Sequence, residues 1–219
     1  MHLYHLITCI NLSLFALPFL VALSRYQHLD KASRVFCLFL GLAFGGECTA
    51  AWFAYVYHNN MPIYAVLNIL EMCMLCLYFN YSITYFARWH IGIFLSLLSA
   101  AVGIINLLYF QSLNDLNNIF LYYQGITIIG MSMIAMVQFL INVDYMQFEQ
   151  TPHFWIPALL ILFWVISFLH WGLYDFLLEK FPASHWLVNN SILFICFFMN
   201  IGYSVLFFFY PRKKKAHVG

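Results

Sequence analysis

Residues 91–110 read IGIFLSLLSAAVGIINLLYF, twenty consecutive residues without a charge. As a helix rising about 1.5 Å per residue, this stretch is about 30 Å long. That length matches the hydrocarbon core of a bilayer. Six more stretches of similar length and character surround it: residues 3–24, 35–57, 63–86, 119–141, 154–174 and 186–210. Turn-forming and charged residues fall between them, as in His58-Asn59-Asn60-Met61-Pro62 and Asn114-Asp115-Leu116-Asn117-Asn118. The expected fold is an all-α membrane protein, a bundle of seven transmembrane helices over residues 1–210. A basic cytoplasmic tail follows at 211–219.

Composition agrees. Of 219 residues, 64% are hydrophobic and 8% are charged. A soluble domain carries roughly 25% charged residues, so this chain cannot cover a water-facing surface and lipid is its expected partner. The 24 Phe and 15 Tyr suit lipid-facing walls and interfacial belts. A net charge of +1 excludes the basic character that a nucleic-acid partner requires. The first stretch has neither a basic leader nor a small-residue cleavage site, and is expected to be a retained span.

Lys and Arg set the orientation. Arg25, Lys31 and Arg34 follow the first span, Arg88 follows the third, and Arg212, Lys213, Lys214 and Lys215 close the chain. The alternate connections hold only Lys180. The basic side is expected to be cytoplasmic and the N-terminus outside. The connection after the fifth span fits least, with Asp144 and Glu149 and no basic residue.

Charged and strongly polar side chains inside a bilayer usually face the bundle interior or a wet cavity. Glu47 and Glu71 lie at one expected depth, about 12 Å below the outer face. Asn68 shares a helix face with Glu71. Gln124, His170, Trp171 and Asn190 fall in the outer part of the fifth, sixth and seventh spans. The inner half holds chiefly Asn80, Gln138 and Asn200. The pattern suggests a polar pocket opening outward over a closed cytoplasmic half. Its expected ligand-binding residues are Glu47, Asn68, Glu71, Gln124, His170, Trp171 and Asn190. Two readings stay open: these amides also suit interhelical hydrogen bonds, and a buried carboxyl can stay protonated and donate one.

No catalytic residue, cofactor or metal site is expected. The six cysteines lie in apolar stretches, and Cys73 and Cys76 form a CxxC pair inside a span. No HExxH or GxSxG motif is present. Gly45-Gly46 beside Glu47 permits close helix approach, and Pro18 and Pro157 lie within spans. An outer polar pocket on seven helices suits a receptor-like sensory module. It would take a small polar ligand from outside and signal through a separate cytoplasmic or membrane partner. An intramembrane enzyme acting on lipid and a small transporter are the alternatives.

Three segments carry a resemblance: Asn68-Ile-Leu-Glu71, Pro152-His-Phe-Trp-Ile156 and His185-Trp-Leu-Val-Asn-Asn-Ser191. They resemble a group of small seven-helix bacterial membrane proteins of Bacteroidetes-type genomes, often encoded beside sensor histidine kinases. The resemblance implies a bacterial inner-membrane location and favours a sensory role. The group brings no established activity to any residue.

Overall fold

The computed structural model describes the backbone of residues 2–114, 117–142, 152–180 and 185–210, and the side chains of 8–114, 117–141, 152–170, 180 and 193–210. Among the described residues there are eight α-helices and no strand. They are α1 (His2–Ser24), α2 (Lys31–Tyr57), α3 (Met61–Ser82), α4 (Thr84–Trp89), α5 (Ile91–Tyr109), α6 (Asn118–Asn142), α7 (Pro152–Lys180) and α8 (His185–Phe208). Five of them, α2, α3, α5, α6 and α7, contain stretches long and apolar enough to cross a membrane. Thr8–Ser24 and Leu193–Phe208, within α1 and α8, are apolar but shorter. The chain is thus a multi-pass membrane protein by length and composition. The tail at 211–219 lies outside the described residues.

Helix packing forms a ring. The neighbours run α1–α2, α2–α3, α3–α6, α6–α7, α7–α8 and α8–α1. Helix α5 stands outside the ring and packs mainly on α3. Its other face shows Phe94, Leu97, Leu108 and Tyr109 to the surroundings. Such a face is stable only where the surroundings are apolar. Exposed Trp52, Tyr55, Tyr57 and Tyr109 cluster at one end of the bundle, and Tyr85 and Trp89 at the other, as in interfacial aromatic belts.

The third predicted span is divided. Residues 63–86 read as one helix, but α3 ends at Ser82 and Ile83 is extended (φ −101°, ψ 115°) before α4 begins. A side chain from another helix accommodates the break. Gln138 of α6 accepts the Thr84 backbone N–H (2.8 Å) and donates to the Ser82 carbonyl (3.4 Å). Asn80 does similar work between α3 and α5, accepting the Gly92 N–H at 3.2 Å. A Cβ on Gly92 would meet the Cys76 carbonyl oxygen at 2.4 Å, so the two backbones touch there. Two of the inner-half polar residues are therefore backbone clamps.

The N-terminus of α2 is capped by Asp30, whose Oδ1 accepts the Ser33 N–H at 2.7 Å. This satisfies one of the helix's orphan donors.

Candidate functional site

Within the ring lies a cavity of about 200 Å³. Six helices contribute to its wall, and α5 contributes none. Helical spacing selects the residues. On α3 the wall is Tyr64, Leu67, Asn68, Glu71 and Leu75, the i, i+3, i+4, i+7, i+11 stripe of one helix face. On α8 it is Cys196, Met199, Asn200 and Tyr203, the same progression. Glu47 comes from α2, Gln124 from α6, and Trp164 with Phe163 from α7.

Both glutamates thus face the same cavity from neighbouring helices. Glu47 lies ten residues before the end of α2 and Glu71 ten residues after the start of α3. By helical rise both are about 15 Å from that end of the bundle. The Tyr64 hydroxyl donates to Glu47 Oε2 at 3.1 Å. Among the described residues Glu71 and Asn68 make no side-chain hydrogen bond. Gln124 is 2% exposed, and its Oε1 has no partner. Buried polar groups are nearly always paired with protein or water. Here three neighbouring groups share an apolar chamber with room for several waters or a small molecule.

Close packing brackets the pair. A Cβ on Gly46 would lie 2.4 Å from Leu67 Cδ2, so α2 and α3 approach closely beside Glu47. Gly45 faces open space, and only one of the two glycines serves that contact.

Among the expected pocket residues, Glu47, Asn68, Glu71 and Gln124 line this cavity. His170 does not. It is buried on α7, on the stripe of Phe163 and Trp164 but six residues beyond Trp164. That is about 9 Å further along the axis, past the cavity's extent. The side chains of Trp171 and Asn190 lie outside the described residues. Asn200, read from sequence as an inner-half residue, is in the wall, as are Tyr64, Cys196 and Tyr203. The cavity therefore runs deeper than an outer-half pocket. The stripe Cys196-x-x-Met199-Asn200-x-x-Tyr203 carried the missed signal, since it puts a thiol, a thioether, an amide and a phenol on a single face.

Below the cavity an aromatic column closes the bundle. Tyr203 packs edge-on against Phe36 (5.0 Å between ring centroids), Phe36 against Tyr78 (5.2 Å), and Tyr78 stacks on His153 (6.3 Å). The column ends on a second acid-centred cluster at the end bearing Arg25 and Arg34. His153 Nε2 lies 2.5 Å from Asp30 Oδ2. The Tyr210 hydroxyl accepts the Asp30 backbone N–H (3.3 Å) and contacts Ser33 Oγ (3.5 Å). Burial pushes the Asp30 carboxyl up. The hydrogen bond and charge of His153, with the Ser33 hydrogen bonds, outweigh it and bring the pKa to about 2 from its ordinary 3.8. Nothing in the stretch Pro152–Ile156 marks His153 as the partner of an acid. Its partner lies 123 positions away.

Among the described residues no three His, Cys, Asp or Glu side chains are placed to hold a metal ion. Comparison of the chain with family models, curated proteins and solved structures returned no match.

Proposed function

We propose that the chain is a receptor-like sensory module that receives a small polar ligand in the central cavity and signals through a separate partner. The observation that carries this reading is the convergence of Glu71, Asn68 and Gln124 on one cavity, none with a side-chain hydrogen bond among the described residues and Gln124 Oε1 buried without a partner. A chamber built only for packing would favour apolar side chains at those positions, because each unpaired buried polar group is destabilising.

On this reading all seven long helices span the membrane, with the N-terminus outside and the basic end in the cytoplasm. The eight Lys and Arg on that side support the orientation. The residue chain from Tyr203 through Phe36 and Tyr78 to His153 supplies a contiguous route from the cavity to the cytoplasmic face. A bacterial inner membrane, kinship with the small seven-helix group encoded beside sensor kinases, and a kinase as partner all belong to the same proposal.

Two experiments test it. In intact cells, an impermeant maleimide labels a cysteine introduced at Ser112 and spares one at Gln27; the reverse result contradicts the orientation. Both positions are exposed. A photo-cross-linker at Gln27 in native membranes captures a sensor kinase. Cross-links only to lipid or to other copies of the chain contradict the signalling role.

A further inference from the structure

We propose that the cavity ligand is a small organic cation, an amine or ammonium compound carrying an apolar group, with Glu71 as its counter-ion. This rests on the cavity being a ligand site and adds the charge and shape of what it takes.

Charge points that way first. Among the described residues the wall contains two carboxyl side chains and no Lys, Arg or His. A ligand with a carboxylate or phosphate would meet like charge in a medium of low dielectric. A cation meets compensating charge, which a buried carboxylate requires. The two acids divide the work. Glu47 already accepts the Tyr64 hydroxyl. Glu71 has no hydrogen-bond partner among the described residues and is free to pair with a ligand's N–H. Gln124, 2% exposed with Oε1 unpartnered, adds a second acceptor in the same wall.

Shape separates an organic cation from a metal ion. A metal needs several converging ligands, and none of the described His, Cys, Asp and Glu side chains form such a group. The rest of the wall is instead aromatic and aliphatic, with Phe15, Phe163 and Trp164 among it. Trp, Tyr and Phe faces attract ammonium groups and cover the alkyl or aryl part of the molecule. A volume of about 200 Å³ suits a compound of that kind better than a bare ion.

The test is calorimetric titration of the purified full chain in detergent with benzylammonium, its neutral isostere benzyl alcohol, and benzoate. Benzylammonium is expected to bind at least about tenfold tighter than benzyl alcohol, and benzoate not to bind. Glu71→Gln removes the difference between the two isosteres, and Gln124→Leu weakens benzylammonium. The wild-type comparison alone decides the charge, whether or not the variants fold. If benzyl alcohol binds as well as benzylammonium, and Glu71→Gln changes neither, the cation assignment is overturned while the ligand cavity stands. If none of the three binds and both variants melt above the wild type, the cavity is a packing defect and both proposals fall.

Discussion

The bundle holds two acid-centred clusters, and the acids at their centres are held oppositely. At the basic end, both Asp30 oxygens are engaged, Oδ1 by the Ser33 N–H and Oδ2 by His153. In the cavity, Glu71 and Asn68 have no hydrogen-bond partner among the described residues, and Gln124 Oε1 is unpartnered. Both clusters join distant helices, α2 to α7 at the basic end and α2, α3, α6 and α8 around the cavity. The contrast separates architecture from function by a physical criterion. A polar group whose partners are supplied by the fold stabilises the fold. One whose partners are withheld costs stability, and on the proposed reading Glu71 is kept for a ligand.

That criterion gives opposite responses to mutation. The largest expected effect is at Asp30→Ala, which removes the α2 cap and strands His153. The cap alone is worth about 1–2 kcal/mol, read as a lower melting temperature in detergent. If Asp30→Ala melts with the wild type, the basic-end cluster is not architectural. Tyr64→Phe is the exception inside the cavity, because it removes the one hydrogen bond there that the fold supplies to a glutamate. It should cost about 1 kcal/mol by the same measurement.

A smaller effect is expected from acid. Asp30 titrates lower in the folded chain, about 2, than its ordinary 3.8. Its contribution is therefore fully present above about pH 4 and is lost as pH falls through 2. Solvent reaches 40% of that side chain, which damps the size of the effect. Melts of wild type and Asp30→Asn should converge across that window, and parallel curves would contradict the pairing. The smallest effect belongs to Glu71→Gln. It keeps the shape of a group that has no hydrogen-bond partner among the described residues, and ligand-free stability should stay within about 0.5 kcal/mol of wild type. A severe loss would mean that Glu71 is a structural residue.

The long helices were legible because lipid demands about twenty apolar residues per crossing, and interruptions such as 58–62 are polar. The break at Ile83 was not legible, since Thr84–Trp89 continues the apolar run and the compensating Gln138 sits on another helix. The peripheral place of α5 was also hidden. Seven apolar segments do not announce which one faces lipid on most of its surface. Glu47, Asn68, Glu71 and Gln124 were readable because charge and amides are costly in a bilayer. Asn200 reads as an inner-half residue by its depth along the last span, whereas the cavity follows α8 past its middle. His170 lies on the right face of α7 at the wrong height. The Asp30–His153 pair has no local signature at all, because only the ring closure brings α7 to the start of α2.

The most direct measurement is a set of detergent melts with and without benzylammonium for wild type, Glu71→Gln and Asp30→Asn. The account predicts that the amine raises the melting temperature of wild type and Asp30→Asn by similar amounts and leaves Glu71→Gln unmoved. A response that survives Glu71→Gln, or one that Asp30→Asn abolishes equally, would contradict the division between a cavity kept for a ligand and an acid cluster kept for the fold.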